Sequence, residues 1–536
     1  MSWSEAQLAG IRTEERPDGR RLLCFAERPT DGLWPILERT ARARPDDEAL
    51  VLGDVRVRYA DFAATVERVA ANLQATCRIA RGDRVGLLLG NCLELAFAFY
   101  ACQRLGAIAV PLNTRLHGRE LTYMLNHVGA RVLIGDPQFL AQLDGASLPR
   151  LEYQYATGGG RDDARPWEEL ATRNAPPAPP VPVREDDPCC ILFTSGTTGL
   201  PKGAILTPFN FVHSAIHYAR AMDLTAVERT LVAVPLFHVT GLAAQLVPMV
   251  YLGGCTVILP EFKADRFLEA MQRERCTHTL IVPTMYVLCL MSPRVRDVDL
   301  PHWRVAGYGG APMPESTVIA LRERFPGLRL HNVYGATETC SPTTINPAEC
   351  ALTHVSSVGR PVMCAEVRAA DDRGHDVPPG EAGELWVKGP MVTPGYWEDP
   401  EATRESFADG EYWRTGDVAR VDSDGHVYIL DRKKDMINRG GFKVFCAEVE
   451  NVLCQHPAVL ESAVVGTPDP VLGERVKAVV VPREGHPSLP DEIRAFCAGR
   501  LADYKVPEFV ELRGALPRNP GGKVLKHLLR QAAPTL

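Results

Sequence analysis

The fold of this chain is predicted from one stretch of sequence, Leu192-Phe193-Thr194-Ser195-Gly196-Thr197-Thr198-Gly199-Leu200-Pro201-Lys202-Gly203. The apolar segment before it, residues 189–193, predicts a buried strand that leads into a loop of hydroxyl-bearing residues and glycines. Because glycine has no Cβ, the loop backbone can turn its N–H groups inward and form an anion-binding concavity. Hydroxyl groups add donors, and Lys202 adds a mobile positive charge. The stretch therefore indicates a site that holds a polyphosphate.

This loop differs from the common P-loop, in which a lysine directly follows the second glycine and precedes Ser or Thr. Here Leu200 and Pro201 stand between the glycine and the lysine, and Gly203 follows. A Gly/Thr run without context is typical of a flexible surface turn. The preceding strand and the lysine within the run favour the phosphate-binding interpretation.

Length, composition and charge exclude several classes of protein. A chain of 536 residues is too long for one compact core, so two or more domains are expected. Hydrophobic residues at 46% and charged residues at 23% are typical of a globular protein. The net charge of −7 provides no field that would hold nucleic acid or an anionic membrane. Polyanionic ligands must therefore meet local positive clusters.

Cysteine usage and hydropathy indicate the cellular setting. The 15 cysteines include no CxxC pair and are interpreted as small buried hydrophobic residues in a reducing compartment. Residues 1–21 are polar, so no secretory signal is expected. The uncharged residues 230–260 are long enough to span a bilayer, but prolines and a Gly-Gly pair interrupt them. We expect a cytoplasmic protein without an integral membrane segment, either a monomer or a homodimer.

Apolar segments alternate with amphipathic ones up to about residue 340. Strands are predicted at residues 84–90, 107–111, 256–259 and 279–282, and helices at 93–105, 264–275 and 314–325. Such alternation predicts parallel sheets covered by helices on both faces, with ligand sites at the carboxyl ends of the strands. The phosphate loop, residues 307–312 and residues 334–338 each follow a strand, so we expect three loops to converge.

The second part of the chain has a different character. Beyond about residue 380 short alternating segments and turns predict a β-rich subdomain. From Asp431 a charged turn leads into a small α+β segment that runs to the end. The predicted fold class is α/β, with a large N-terminal domain of several subdomains and a small α+β C-terminal domain.

Five motifs occur in one order along the chain: residues 194–203, Tyr334-Gly335-Ala336-Thr337-Glu338, Tyr412-Trp413-Arg414-Thr415-Gly416-Asp417, Asp431-Arg432-Lys433-Lys434-Asp435 and Pro517-Arg518-Asn519-Pro520-Gly521-Gly522-Lys523. In this order they resemble the motifs of the adenylate-forming superfamily. Members of that superfamily include acyl-CoA synthetases, aryl-CoA ligases, beetle luciferases and peptide-synthetase adenylation domains. The resemblance covers the chain from about residue 30 to its end. Together the motifs are highly specific.

The resemblance implies a two-domain enzyme and a reaction in two halves. An AMP-binding domain would span residues 1–431 and a mobile domain residues 432–536, with a hinge at Lys434. A carboxylic acid and ATP would give acyl-AMP and pyrophosphate, and coenzyme A would then give acyl-CoA and AMP. ATP, Mg²⁺ and CoA are the implied cofactors and co-substrates.

The resemblance also assigns the groups that act on the phosphates. The β- and γ-phosphates would be held by Thr194, Ser195, Gly196, Thr197, Thr198, Gly199 and Lys202. Glu338 would coordinate Mg²⁺, Thr337 would contact the α-phosphate, and Lys523 would bridge the substrate carboxylate and the α-phosphate. The plainer alternatives are a helix N-cap carboxylate for Glu338 and a solvated loop lysine for Lys523.

For the nucleoside, the resemblance implies that Asp417 binds both ribose hydroxyls and that Arg432 reaches the same ribose. Tyr334, next to Gly335, would present a flat face to adenine, and Asn332 would read its amino group. The opposite side of the adenine would be lined by Gly310, Ala311 and Pro312. The alternative for Tyr334 is plain core packing.

The hinge would let one small domain present two faces in turn, Lys523 for adenylation and a second loop for thioester formation. In that second loop, Gly440 and Gly441 would open a channel for pantetheine, and Lys443 would meet phosphate oxygens. The sequence departs from many relatives at Cys446, where they carry proline or serine.

The residues around His238 indicate which class of carboxylic acid is the substrate. Amino-acid-activating relatives carry an aspartate near this position, whereas this chain has no acidic residue there, so an amino acid is not expected. His238 resembles the gate residue of acyl- and aryl-CoA ligases, and its alternative is a core histidine. The candidate pocket walls are Thr240, Ala244, Tyr308, Gly309 and Cys340. They carry no positive charge, which disfavours a dicarboxylate such as malonate. Thr240, Ala244 and Gly309 are small and leave room for a long or bulky apolar acid, so a medium- or long-chain fatty acid is expected first and an aromatic or alicyclic acid second.

Other interpretations remain open from the sequence. The enzyme could load a carrier protein rather than free CoA, or the chain could be a nucleotide-binding regulator that has lost catalysis. The joint presence of Lys523, Glu338 and Asp417 favours an active enzyme. His213 and His217, four residues apart, are interpreted as a surface or packing pair rather than as metal ligands.

Overall fold

The computed structural model describes residues 3–159, 161–194, 200–483, 490–518 and 524–530. The chain divides into two compact units. The first consists of Met1–Val367, Val387–Trp413 and Asp424–His426, and the second of Arg368–Trp386, Arg414–Ser423 and Val427–Leu536. The domain boundary between residues 431 and 432 stays a prediction.

One sheet of the first unit carries the strand that leads into the phosphate loop. Its strand order is Lys202–Leu206, Cys190–Thr194, Ile108–Pro111, Arg84–Leu88, Val132–Gly135, Tyr153–Ala156, Arg165–Pro166. The pairs are parallel except at one edge, where Cys190–Thr194 runs antiparallel to Lys202–Leu206. Thr194 lies opposite Lys202 in this register, so the phosphate loop connects the two strands of a hairpin.

A second sheet of the first unit carries the other two predicted loops. Its strand order is Arg360–Pro361, Thr344–Ile345, Arg329–Tyr334, Val305–Gly309, His278–Ile281, Arg229–Val232, Cys255–Ile258, Glu48–Leu52, Val55–Arg58. The central pairs are parallel and the outer pairs antiparallel. Gly309 lies opposite Val333, so residues 307–312 and 334–338 leave neighbouring strands at the same edge.

Helices accompany these strands, and a short hairpin of Ile11–Glu15 and Arg21–Phe25 precedes them. The α-helices of the first unit are Glu5–Leu8, Leu33–Ala43, Tyr59–Cys77, Leu93–Leu105, Gly118–Val128, Pro137–Leu140, Glu168–Ala171, Pro208–Met222, Val239–Gly241, Val247–Leu252, Ala264–Arg273, Pro283–Met291, Glu315–Arg324 and Pro400–Ser406. Short 3-10 turns span Ala141–Leu143, Pro293–Arg296, Thr337–Thr339 and Ala348–Cys350, and Leu242–Leu246 is a π-helical turn.

The helix Leu93–Leu105 has the bounds that the sequence predicts. From Leu95 to Leu105 its side chains are buried, because the helix packs against Tyr59–Cys77 as well as against strands. It ends at Gly106, whose φ of 64° is the left-handed conformation that glycine adopts without a steric penalty.

The β-rich region and the end of the chain form two further sheets. In the first, the strand order is Glu366–Ala370, Ala382–Lys388, Tyr412–Val421, Phe407–Ala408, with Val427–Arg432 also paired to Tyr412–Val421. In the second, it is Phe442–Val444, Ile437–Arg439, Gly473–Pro482, Val459–Asp469, with Phe509–Leu512 paired to Gly473–Pro482. The helices here are Cys446–Leu453, Pro490–Ala498 and Lys526–Arg530, with a 3-10 turn at Asp503–Lys505. The predicted α/β class and the α+β end of the chain are confirmed.

The uncharged segment 230–260 is divided as expected, with short helical pieces between the strands Arg229–Val232 and Cys255–Ile258. Pro248 follows directly on the π-helical turn Leu242–Leu246. Asp431 and Arg432 end a strand rather than begin a turn. Across the described ranges, the apolar helices are too short to cross a bilayer.

Buried histidines in the first unit predict how its stability depends on pH. His213, His278 and His331 use Nδ1 to bond the Phe209 carbonyl, the Thr230 hydroxyl and the Asn346 carbonyl respectively. Within the described residues their Nε2 atoms have no hydrogen-bond partner. Burial lowers the pKa of His213 and of His278 to about 3 and that of His331 to about 4.

We expect the free energy of unfolding to fall as the pH drops below about 6.5, because these histidines then bind protons in the unfolded chain but stay unprotonated in the folded protein. The loss is about 1.4 kcal/mol per histidine and pH unit, until the pH reaches the folded pKa. The urea-unfolding midpoint measured from about pH 7.5 to about pH 5 should fall less steeply in His278→Gln than in the wild type. The exposed His375→Gln is the control. Equal slopes in His278→Gln and wild type would contradict the argument.

Candidate active site

Two of the predicted motifs meet at Glu338, which lies in the 3-10 turn Thr337–Thr339 directly after the strand Arg329–Tyr334. Its Oε1 accepts a hydrogen bond from Thr194 Oγ1 at 3.2 Å and another from Tyr396 Oη at 3.0 Å. Thr194 is the last residue of the strand that enters the phosphate loop. The structure therefore brings the base of that loop onto the predicted metal-binding carboxylate.

The surroundings of Glu338 suit a hard cation. The residue is only 8% exposed, and among the described residues no lysine or arginine forms an ion pair with it. The two partners that its carboxylate has among the described residues are neutral hydroxyl groups, which do not compensate its negative charge. Within the described ranges, this carboxylate accepts no hydrogen bond from a helix N-terminus. A carboxylate beside hydroxyl oxygens is a donor set that fits Mg²⁺.

Tyr396 was not identified from the sequence, and no spacing pattern marks it. It is 8% exposed, and burial together with the Glu338 carboxylate raises the pKa of its phenol, so the hydroxyl stays protonated and donates. The Lys202 ammonium lies 5.3 Å from the centroid of the Tyr396 ring, a cation–π distance. Tyr396 thus contacts both the carboxylate and the loop lysine.

The phosphate loop itself is described only at its two ends. Thr194 and Lys202 are half-buried and face each other across the hairpin. Ser195, Gly196, Thr197, Thr198 and Gly199 lie outside the described residues.

The predicted adenine-binding residues lie at the ends of two neighbouring parallel strands. Asn332 is buried and its Nδ2 donates to the Ser357 carbonyl at 2.9 Å, whereas Tyr334 is half-buried. Gly310 has a φ of +80°, and Ala311 and Pro312 are exposed. At Gly335 a Cβ would lie 1.4 Å from the Ser341 carbonyl oxygen, so close packing of backbone requires glycine there.

The predicted acyl-pocket residues differ in burial. Ala244, Tyr308 and Cys340 are fully buried, and Thr240, Gly309 and the gate candidate His238 are half-buried. The small size of Gly309 has a structural cause besides pocket volume, since a Cβ there would lie 2.2 Å from the Val333 carbonyl oxygen.

Tyr308 has the most informative hydroxyl of this group. Burial raises its pKa to about 12, and its Oη has no hydrogen-bond partner among the residues that the structure describes. A buried hydroxyl without a partner is uncommon, because its desolvation is not compensated. The hydrogen-bonding capacity of this hydroxyl is thus left unused by the described residues.

The π-helical turn Leu242–Leu246 carries Ala244 and is held by the buried side chain of Gln245. The Gln245 amide donates to the Leu280 carbonyl at 3.1 Å and accepts from the Leu280 amide at 3.3 Å. Sequence reasoning missed Gln245, although an amide within an apolar run was a usable signal. It fixes the turn to the strand His278–Ile281.

In the second unit the structure joins the two predicted ribose-binding residues. Asp417 is 5% exposed, and its Oδ1 lies 2.7 Å from Arg432 Nε. The two residues are opposite each other on paired antiparallel strands. The Asp417 amide also donates to the Thr415 hydroxyl at 2.9 Å, which fixes the backbone beside the carboxylate.

The hinge and thioester-loop residues are at the surface of the second unit. Lys434 is exposed, and its carbonyl accepts from Arg530 Nη2 at 3.1 Å. Gly440 and Gly441 have φ values of 60° and 89°, which favour glycine, and Lys443 is exposed. Lys523 lies outside the described residues.

Three remaining expectations concern histidines and cysteines. His213 and His217 are buried beside Phe25, so they are a packing pair and not a surface pair. The cysteines are free and mostly buried, as expected, although Cys454 is exposed. Cys446 is buried at the start of a helix, where its thiol donates to the Asp435 carbonyl at 3.1 Å.

Comparison with known proteins gives the class. A family model described as AMP-binding enzyme matches residues 37–397, and one for the AMP-binding enzyme C-terminal domain matches residues 448–523. The chain belongs to the AMP-binding enzyme family, as its adenylate-forming motifs predict.

Named relatives cover nearly the whole chain. It is 39% identical to a feruloyl-CoA synthase of Amycolatopsis sp, over 93% of this chain and 98% of the relative. It is 36% identical to a long-chain-fatty-acid–CoA ligase of Mycobacterium tuberculosis, over 93% and 97%. The solved structure of o-succinylbenzoate coenzyme A synthetase from Bacillus subtilis with ATP and magnesium ion is similar at a TM-score of 0.84, with 32% identity over 94% of this chain and 100% of that one.

Proposed function

We propose that this protein is an AMP-forming acid–thiol ligase that activates an aromatic carboxylic acid. In the first half-reaction the acid and ATP give acyl-AMP and pyrophosphate, and in the second CoA gives acyl-CoA and AMP. The observation that carries this proposal is the hydrogen bond between Thr194 and Glu338, because it unites the phosphate loop with an uncompensated carboxylate. Membership of the AMP-binding enzyme family supports it.

The first half-reaction brings an anionic carboxylate to a polyanion, so the protein must place positive charge where negative charge concentrates. In this proposal the loop from Thr194 to Lys202 holds the β- and γ-phosphates and Thr337 contacts the α-phosphate. Glu338 holds Mg²⁺, which when bound neutralises phosphate charge. Lys523 bridges the carboxylate of the acid and the α-phosphate.

Other residues are proposed to bind the nucleoside of ATP and the thiol substrate, CoA. Asn332 and Tyr334 bind adenine, with Gly335 and residues 310–312 around it, and Asp417 and Arg432 bind the ribose. The Asp417–Arg432 ion pair supports this because it holds the carboxylate in one orientation. Lys434 is the hinge, and Gly440, Gly441 and Lys443 admit the pantetheine and phosphates of CoA.

The aromatic acid is favoured by the unpartnered hydroxyl of Tyr308. A fatty-acyl chain has no group that bonds a phenol, whereas a hydroxyl or methoxyl substituent on an aromatic ring does. Tyr308 also stays neutral up to high pH, so it can donate to such a substituent. The 39% identity to a feruloyl-CoA synthase agrees with this choice.

A fatty acid is the second candidate, on a separate observation. Ala244 and Cys340 are small, apolar and fully buried, and they place no charge against an alkyl chain. The long-chain-fatty-acid–CoA ligase of Mycobacterium tuberculosis, at 36% identity, supports this alternative.

Acid-dependent exchange of pyrophosphate into ATP tests the proposal. The panel should hold a 4-hydroxycinnamate, the same acid without its hydroxyl, a twelve-carbon fatty acid and malonate. We expect the largest kcat/KM for the hydroxylated aromatic acid and none for malonate. Exchange with the fatty acid alone would show that the fatty acid, not the aromatic acid, is the substrate. Absence of exchange with every acid would overturn both candidate functions. Thioester formation with CoA against a holo-carrier protein identifies the acceptor.

Replacing Tyr308 with Phe should lower kcat/KM for the hydroxylated acid about tenfold, because one hydrogen bond to a buried polar group is lost. The acid without the hydroxyl should be used about as well by the variant as by the wild type. Ala244→Val is the matched control, since it narrows the pocket and should reduce both acids together. Equal losses for both acids in Tyr308→Phe would contradict the proposed contact.

A further inference from the structure

We infer that the first unit contains a transition-metal site, distinct from the Mg²⁺ of the reaction, formed by Cys350, His354 and His426. One ligand atom from each of these three residues lies within 4.8 Å of the other two. Cys350 and His426 are buried and His354 is half-buried. The site belongs to neither the phosphate loop nor the acyl pocket.

Local structure sets up two of the ligands. Cys350 ends the 3-10 turn Ala348–Cys350, and the His354 amide donates to the Cys350 carbonyl at 2.9 Å. One helical turn therefore separates the two residues, which places their side chains on the same side of the segment. His426 comes from a distant part of the chain, directly before the strand Val427–Arg432.

Both histidines have a hydroxyl group at Nδ1. Thr353 Oγ1 lies 3.0 Å from His354 Nδ1, and Ser357 Oγ lies 3.4 Å from His426 Nδ1. A histidine that binds a metal through one ring nitrogen commonly donates from the other, which fixes its tautomer. This arrangement directs Nε2 of each histidine to the ion.

The ligand chemistry selects the metal. One thiolate and two imidazoles suit Zn²⁺ and other late transition metals, whereas Mg²⁺ requires oxygen ligands. On binding, the Cys350 thiol loses its proton to solvent and its sulfur bonds the metal. Three protein ligands leave the fourth tetrahedral position for a water molecule.

The two rings now lie 4.0 Å apart between centroids and are nearly parallel, at 6°. A metal lies in the plane of each imidazole that it binds, so coordination requires the rings to tilt towards each other. The half-buried His354 has room for this movement. A packed histidine pair that binds no metal is the alternative that the experiment distinguishes.

The site would brace the segment behind the predicted adenine-binding residue. Ser357, which contacts His426, also accepts from Asn332 Nδ2 at 2.9 Å through its carbonyl. The Asn346 amide donates to the Asn332 carbonyl at 2.7 Å, and Asn346 Nδ2 donates to the His354 carbonyl at 3.3 Å. An ion at the cluster thus holds two of the hydrogen-bonding partners of Asn332, a consequence for nucleotide binding that rests on the proposed function.

Co²⁺ titration of the full-length protein, first stripped of metal with a chelator and kept in excess Mg²⁺, tests the site. We expect one equivalent of Co²⁺ to produce the near-ultraviolet charge-transfer band of a thiolate ligand and the strong visible bands of a four-coordinate ion. Cys350→Ser should lose the near-ultraviolet band, and His354→Asn should weaken Co²⁺ binding by at least about 100-fold. Cys454→Ser, which removes the exposed thiol, should leave both features unchanged.

The thermal unfolding midpoint with and without Zn²⁺ is a second measurement, which tests the site even if a variant folds poorly. Zn²⁺ should raise the thermal unfolding midpoint of the wild type and of Cys454→Ser, but not that of His354→Asn, whose substituted side chain is half-buried. The absence of a thiolate band in the wild type, or its persistence in Cys350→Ser, would overturn the site. Because these readouts do not involve turnover, they hold whether or not the chain adenylates the proposed acid.

Discussion

Replacing Glu338 with Gln should lower acid-dependent pyrophosphate exchange about 100-fold, a loss of about 3 kcal/mol of transition-state stabilisation. The amide keeps the size of the side chain and can still accept from Thr194 and Tyr396, so the loss reports the charge. Exchange should be measured over a range of Mg²⁺ concentrations. We expect the variant to need more Mg²⁺ for half-maximal activity.

Tyr396→Phe is the matched control for Glu338, because it removes one hydrogen bond to the carboxylate and leaves the charge. It should slow exchange about tenfold or less and leave the Mg²⁺ requirement nearly unchanged. If Glu338→Gln behaved like Tyr396→Phe in both respects, Glu338 would be a structural acceptor and not the residue that holds the cation.

Lys523→Ala should slow acyl-AMP formation on the order of 100-fold, a loss of about 3 kcal/mol, and spare the conversion of supplied acyl-AMP to thioester. The physical reason is that an ammonium bridging two anions is needed only while the carboxylate attacks the α-phosphorus. The two half-reactions are measured separately, by pyrophosphate exchange and by thioester formation from synthetic acyl-AMP.

Lys443→Ala is the reciprocal test of the two-face hinge. Its side chain is exposed beside Gly440 and Gly441, so removing it should not disturb packing. We expect a slower second half-reaction and an unchanged first one. Parallel losses of both half-reactions in Lys523→Ala and in Lys443→Ala would contradict the alternation of two faces.

Much of the fold was predictable from local pattern. The helix at 93–105 and the strands near 84, 107, 256 and 279 were found within two residues at their starts, because apolar runs between turns are encoded locally. The uncharged segment 230–260 is also divided into short elements as expected, because prolines and glycines limit helices and strands locally. The strand Val427–Arg432 extends two residues further than expected, because the charge at Asp431 indicated a turn.

The site was predictable only in part. Glycine at 309 indicated a roomy pocket, but its stronger cause is the Val333 carbonyl of the neighbouring strand. Tyr396 and Gln245 were not found, because their roles depend on contacts with residues far along the chain. The roles of Lys523 and of residues 195–199 stay predictions.

The amino-acid sequence by itself determined the class of this protein, since the order of its motifs and the alternation of strands and helices are properties of the linear chain. Tertiary structure alone decided that Thr194, Glu338 and Tyr396 are joined and that the Tyr308 hydroxyl has no partner in the described chain. The reason is one of scale. Hydrogen bonds form over about 3 Å, and which distant side chains come that close depends on how whole sheets and helices pack.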